Sequence, residues 1–317
     1  MDEIRTALAP FELGRLVLAE AVAAGIENTT YFLTFEQAQD RRAEYVLTLG
    51  ESIAADDMEF VARLTTLLQQ QHDLPVPAPV TTGDGANIVY LAHKPALLIP
   101  KIAGSPPLVA SAHQCHAVGG MLARLHGVTL EAAITHSSHK SLAWVAETGK
   151  ALLPQVPPAS RQLLNSSLAR LDEFVSAHGN LPQAIIHGDL FRDNTLFVRE
   201  QLTAIIDFFS AGSGYLLFDL AIVANDWCVA ADYHFIPEKL NALLGGYCAI
   251  RPLTDQERHC WGEMLAIAAL RFWVSRLADR IFPSPARAAQ STKDPAPYRQ
   301  LLILHREHPQ RSCFDPE

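Results

Sequence analysis

"IIHGDLFRDNTLF", residues 185–197, sets a cluster of polar side chains between two apolar ends. Ile185 and Ile186 have the character of a buried strand end, and Thr195 to Val198 that of a second strand. A loop held between two short strands is a rigid platform for side chains that must face a ligand. The loop follows the pattern His-x-Asp-x-x-x-x-Asn, with His187, Asp189 and Asn194 in the named places. A further apolar strand, within "AIIDFF" at 204–209, ends on Asp207 and runs into Phe208. The turn between, "REQ" at 199–201, is short, so the strands on either side would bring Asn194 and Asp207 close together. The plainer alternative is that Asp189 and Asn194 cap turns, as both residue types do.

The bulk properties narrow the class of protein. The chain has 317 residues, 49% hydrophobic and 19% charged, which is ordinary for a globular protein of about two domains. Its formal net charge of -9 argues against nucleic acid as a partner, although a local site can oppose the global sign. Five cysteines are scattered with no Cys-x-x-Cys pair, which fits reduced thiols better than a disulfide framework. The histidines form no His-Glu-x-x-His motif. "MDEIRTALAP" at the start lacks the apolar core of a signal peptide, and no uncharged apolar run reaches the roughly 18 residues of a membrane span. The expectation is a cytoplasmic, soluble protein with no membrane partner.

Along the chain, "RLVLAEAV", "TYFLTF", "EYVLTL", "NIVYLA" and "ALLIPKIAG" read as strands of a small, mostly antiparallel sheet. One helix interrupts them, in "DDMEFVARLTTLLQQQHD", where Phe60, Leu64, Leu67 and Leu68 recur at helical spacing. "AGSPPL" at 103–108 has linker chemistry. Beyond it helices dominate. Val118, Met121, Leu122 and Leu125 share one face, Pro158 opens another helix, and further helices are expected in 216–230, 237–250 and 254–281. The expected architecture is α+β in two parts, 1–103 and 104–317.

The His187, Asp189, Asn194 spacing is that of the kinase catalytic loop. More of the chain carries a closer likeness. "GIENTTYFLT" at 25–34, "HGDLFRDNTLF" followed by "IDFFSAGSGYLLFDLAIVANDWC", "LRFWVSRLADR" at 270–280 and "TKDPAPYRQLLILHREHP" at 292–309 are the stretches concerned. Together the sequence resembles the aminoglycoside phosphotransferase and choline kinase superfamily, and within it the homoserine kinase branch. The resemblance implies a bilobal protein-kinase-like fold, ATP and Mg²⁺, and transfer of a phosphoryl group to the hydroxyl of L-homoserine. It also implies roles. Asp189 would be the catalytic base, Asn194 and Asp207 the magnesium ligands, and His187 a support of the loop. Asp219 would anchor the loop backbone, a role compatible with that of a helix-start carboxylate. The hairpin at 25–30, with Gly25, Ile26, Asn28 and Thr29, would cover the phosphates, and Pro100, Lys101 and Ile102 would lie at the adenine hinge.

One position departs from the wider kinase pattern. The third strand has Thr48 where kinases carry a lysine, and Glu59 is the nearest helix glutamate. Arg41, Arg42 and Lys101 are the substitutes available for a phosphate-binding cation. Homoserine itself calls for a carboxylate facing its ammonium and an arginine facing its carboxylate. Asp226 beside Trp227 suits the first need, and Arg271 or Arg276 the second, unless these arginines form internal ion pairs. Arg192 would reach the γ-phosphate or brace the loop. Choline-, methylthioribose- or aminoglycoside-type acceptors, and a catalytically silent nucleotide-binding module, are the competing readings.

Overall fold

The computed structural model describes residues 2–22, 28–283 and 293–308. The chain divides into two compact units, Met1–Gly104 with Thr203–Phe209, and Ser105–Leu202 with Ser210–Glu317. A single cut near residue 103 therefore misses one detail: Thr203–Phe209 belongs with the first unit. Two hydrogen bonds account for this, from Thr203 Oγ1 to the Ala103 carbonyl at 2.7 Å and from the Ile205 N–H to the Pro75 carbonyl at 2.8 Å.

The first unit is built on strands β1 (Arg15–Val22), β2 (Thr29–Glu36), β3 (Arg42–Leu49), β4 (Ile88–Leu91) and β5 (Lys94–Pro100). They form one antiparallel sheet in the order β1-β2-β3-β5-β4, with a register shift between Leu16 and Leu18. Side chains alternate along each strand, so the sheet has two unlike faces. Leu33, Phe35, Leu47, Leu49, Ala96 and Leu98 pack in one buried cluster with Ile4 and Leu8 of helix α1 (Asp2–Leu8), an element the strand-rich reading of this region lacks. The opposite face carries the cross-strand row Phe32, Val46 and Ile99, in register with one another. Helix α2 (Ala55–Thr66) packs against β4 and β5. Asp56 and Asp57 in its first turn complement the helix dipole, and Met58, Val61 and Leu64 are buried.

The second unit is largely helical: α3 (Ala112–Ala132), α4 (Leu142–Leu152), α5 (Pro158–Ala177), α6 (Leu216–Trp227), α7 (Pro237–Cys248), α8 (Asp255–Ile281) and α9 (Ala296–Glu307). Capping boxes start α3 (Ser111 with Gln114) and α8 (Thr254 with Glu257), each satisfying two backbone donors that have no partner within the helix. Every residue of α6 except Asp226 is buried, so this helix is apolar almost all round and lies inside the unit. Helices α3 and α7 approach so closely that only glycine fits. A Cβ on Gly119 would stand 2.1 Å from the Leu243 carbonyl oxygen, and one on Gly246 would stand 2.1 Å from that of His116.

The strands that bracket the polar loop do not pair with each other. β6 (Gln183–Ile186) pairs antiparallel with β9 (Gly212–Tyr215), and β7 (Thr195–Val198) pairs with β8 (Gln201–Ile205). The loop thus leaves one two-stranded ribbon and enters another.

Candidate active site

The loop after β6 is fixed by its own backbone. The N–H groups of His187 and Gly188 donate to the two carboxylate oxygens of Asp219, at 2.8 and 2.9 Å. Gly188 has φ +73°, and a Cβ there would meet the Ser210 carbonyl oxygen at 2.9 Å, so glycine is required on both counts. The Asp189 N–H donates to His187 Nδ1 at 3.3 Å, and the Leu190 carbonyl accepts from the Trp227 indole at 3.2 Å. Asn194 closes the loop: its Nδ2 donates to the Asp189 carbonyl at 2.8 Å, and its N–H donates to the Phe191 carbonyl at 3.0 Å. Asp226 accepts from the Arg192 N–H at 2.9 Å and from its Nε at 3.1 Å, while Arg192 Nη1 donates to the Leu108 carbonyl at 2.9 Å.

Asp219 is itself held. It sits in the first turn of α6, fully buried, where a carboxylate meets the positive end of the helix. Burial pushes its pKa up, but the hydrogen bonds from His126 and the His187 backbone more than offset this and leave it below the ordinary aspartate value. His126, on α3, lies 3.2 Å from Asp219 Oδ2 through Nε2 and 2.8 Å from the Tyr247 hydroxyl through Nδ1. Burial holds this imidazole below its ordinary pKa. The neutral tautomer that satisfies both partners carries its proton on Nε2 and accepts from Tyr247. Arg251 then donates to the Tyr247 hydroxyl at 3.1 Å and to Glu257 at 3.0 Å. A continuous polar chain therefore runs from Glu257 through the protein interior to the loop. Its members are 93 and 121 residues apart along the sequence at its two histidine contacts, and no local motif announces it.

The Asp189 side chain faces Arg271 of α8. Arg271 Nη1 donates to Asp189 Oδ1 at 3.3 Å and Nη2 to the Gly188 carbonyl at 3.2 Å, with the guanidinium carbon 3.8 Å from the centre of the Phe272 ring. Arg271 is only 2% exposed, so Asp189 is the charge partner that makes its burial tolerable. An ionised carboxylate in this position is an acceptor that can take the proton of an approaching hydroxyl. Arg276 is placed differently. It donates to the Asp294 carbonyl at 2.7 Å and lies over the Tyr298 ring. Trp227 is buried, with its indole directed at the loop backbone.

In the first unit, Gly25 and Ile26 lie outside the described residues. Asn28 is described, and its buried Oδ1 has no hydrogen-bond partner among the described residues. Thr29 Oγ1 donates to Glu51 at 2.6 Å, and Lys94 also pairs with Glu51. These bonds, that from Lys94 first, hold Glu51 below the ordinary glutamate pKa. Glu59 accepts from Asn87 Nδ2 at 2.9 Å. Thr48 is half-buried and in register with Thr30 and Leu97. Pro100 ends β5, and Ile102 is half-buried just beyond it. The Lys101 N–H donates to the Glu44 carbonyl at 3.0 Å, while its Nζ meets the Glu44 carboxylate at 2.8 Å and the Phe32 ring at 5.0 Å. β8 ends at Ile205, two residues before the expected end, and Asp207 beyond it is exposed with φ +66°. Asn194 belongs to the second unit and Asp207 to the first. Among the described residues no group of three or more His, Cys, Asp or Glu side chains could hold a metal ion.

The open row Phe32, Val46 and Ile99, shared by three strands, was not singled out from the sequence. Strand alternation is the signal that would have found it. Arg251, Tyr247, Glu257 and His126 were also missed.

Known proteins bear on this geometry. Residues 19–253 match the phosphotransferase enzyme family. A homoserine kinase from Pseudomonas aeruginosa (strain UCBPP-PA14) is 39% identical over 297 residues, covering 93% of this chain and 91% of that protein. A homoserine kinase from Janthinobacterium sp. (strain Marseille) is 35% identical over 310 residues, covering 97% and 94%. Among solved structures, amicoumacin kinase hAmiN shares the fold with a TM-score of 0.70 at 17% identity, covering 99% of this chain and 96% of that one. A choline/ethanolamine kinase family protein from Mesorhizobium loti does so with a TM-score of 0.65 at 19% identity, covering 98% and 96%. With these relatives and an α+β fold of antiparallel sheet and helices, the chain belongs to the phosphotransferase enzyme family, alongside its homoserine kinases.

Proposed function

We propose that this protein transfers the γ-phosphoryl group of ATP to the hydroxyl of L-homoserine. The observation that carries the reading is the Asp189 carboxylate, held by Arg271 on a loop whose backbone is tied to buried Asp219. The curated relatives, homoserine kinases aligned over nearly the whole chain, supply the acceptor. Asp189 orients the hydroxyl and takes its proton as the oxygen bonds to the γ-phosphorus. The bond from that phosphorus to the β-phosphate oxygen breaks, and ADP leaves. Such a reaction is catalysed by position and electrostatics more than by covalent chemistry, which suits a loop with so little freedom.

Asn194 and Asp207 would hold Mg²⁺. The donor types suit a hard cation: an amide oxygen from Asn194, whose nitrogen is directed at Asp189, and a carboxylate from Asp207. The ion would neutralise phosphate charge when bound. For the nucleotide base, the Phe32, Val46 and Ile99 row offers an apolar shelf beside Pro100, Lys101 and Ile102. Trp227 and Asp226 act by bracing the loop through Leu190 and Arg192. Arg276 is anchored to Asp294, so Arg271 is the arginine nearest the chemistry.

The test is direct. Purified protein with Mg-ATP and homoserine should release ADP and form O-phosphohomoserine, seen by phosphorus NMR. Asp189→Asn should lower kcat by about 10²–10⁴-fold with an unchanged circular dichroism spectrum. ADP release that ignores homoserine, or an Asp189→Asn protein of near-normal rate, would overturn the reading.

A further inference from the structure

A cavity of ≈ 180 Å³ lies within the second unit and is lined by Gly188 and Arg271, the two residues that flank or bind Asp189. Its wall also includes Ser138, Lys140, Ser141 and Leu142, the turn into α4 and that helix's first residue. This turn is built rather than loose. Ser138 Oγ donates to the Ser210 carbonyl at 3.1 Å and accepts the Lys140 N–H at 3.2 Å, and Ser141 caps α4 by accepting the Trp144 N–H at 3.3 Å.

The lining is one-sided in charge. Lys140 and Arg271 are its ionisable cations, and no aspartate or glutamate lines it among the described residues. The first backbone N–H groups of α4 have no intrahelical acceptor and carry the positive end of the helix dipole. Arg271 is the second cation of this wall and is already paired with Asp189. It is 2% exposed, and its Nε is buried without a hydrogen-bond partner among the described residues. Apolar Leu142, Ile186 and Phe218 complete a wall suited to a short aliphatic body.

We propose that this cavity receives the acceptor, and that Lys140 with the N-terminus of α4 binds the acceptor's carboxylate and so selects amino acids over amino alcohols. The inference rests on the reading of the protein as a homoserine kinase and adds the residues that recognise the substrate's anionic end. Lys140 is a binding residue here, and the hydroxyl end of the substrate lies toward Gly188 and Asp189.

The experiment compares L-homoserine with 3-aminopropan-1-ol, which has the same chain and hydroxyl but no carboxylate. Lys140→Met should raise KM for homoserine about 10–100-fold, the range of a lost charge-assisted hydrogen bond, with kcat held within about twofold. It should not lower kcat/KM for 3-aminopropan-1-ol, and Lys140→Arg should restore most of the homoserine KM. Saturation-transfer NMR with L-2-aminobutyrate, which keeps the carboxylate and lacks the hydroxyl, should show binding to the wild type and Lys140→Arg but not to Lys140→Met. If the wild type phosphorylates homoserine and Lys140→Met keeps its preference over 3-aminopropan-1-ol, the carboxylate assignment is wrong and the kinase reading stands. If homoserine is not phosphorylated at all, the kinase reading fails. L-2-aminobutyrate binding insensitive to Lys140 then rejects the cavity assignment too.

Discussion

The loop at 187–194 and the open face of the five-stranded sheet solve opposite problems. In the loop the polar groups meet partners inside the protein: Asp219, the Trp227 indole, Asp226 and Arg271. On the sheet, Lys101 meets Glu44 at the surface, with side chains 35% and 55% exposed, and Phe32 stands 37% exposed beside them. Buried partners fix a geometry and make its loss costly. Surface partners are easily exchanged for water or a ligand. Rigidity is therefore concentrated around Asp189, the group proposed to face a reacting hydroxyl.

The largest effect should come from the most buried member. Asp219→Ala would leave the N–H groups of His187 and Gly188, and the proton on His126, without their acceptor. Loss of about 3–5 kcal/mol is expected, read as a lowered urea midpoint, together with a fall in kcat larger than that in KM. A change below about 1 kcal/mol would mean that the loop does not depend on its buried carboxylate, and the contrast drawn above would break.

A smaller effect sharpens the same contrast through pH. His305 on α9 is buried, bonds Asn225 Oδ1 at 2.8 Å and stacks on Phe235, and burial lowers its pKa to about 4. The unfolded chain would protonate it near pH 6.5, so between those values the unfolded state binds more protons. Stability is therefore full above about pH 6.5 and falls as pH drops toward 4, by on the order of 3 kcal/mol in all. His305→Gln should flatten that part of the urea-midpoint profile, and a profile of unchanged slope would count against the assignment.

The smallest effect belongs to the sheet. Lys101→Met removes an exposed ion pair and should change stability by less than about 1 kcal/mol, measured by thermal melting at low and high salt. A larger, salt-insensitive loss would show that this face is as tightly organised as the loop.

What the sequence reveals of this molecule follows the range of each interaction. The loop was legible because Asp189 and Asn194 act within one turn of chain, and because the strands on either side have clear apolar runs. Five strands of the sheet were legible as short runs of strand-forming apolar residues bounded by polar turns. β9 was not, since "GSGY" has two glycines and no strand propensity of its own; it is a strand because Ile185 and Ile186 need a partner. α1 is too short for its periodicity to stand out. The link from His126 to Tyr247 joins helices far apart in sequence, so only the folded arrangement exposes it. Arg271 was legible as an arginine in an apolar helix that needs a partner, but that the partner is Asp189 was not.

The crossing of α3 and α7 has a consequence for anyone redesigning this protein. Elsewhere a core can absorb an added methyl by shifting side chains, whereas at Gly119 and Gly246 the obstacle is main-chain carbonyl oxygen, which has no rotamer to change. Thermostabilising schemes that replace helical glycines with alanine should therefore skip these two positions. There the usual gain in helix propensity would come with helices forced apart, and Tyr247, next to Gly246, would be drawn away from His126.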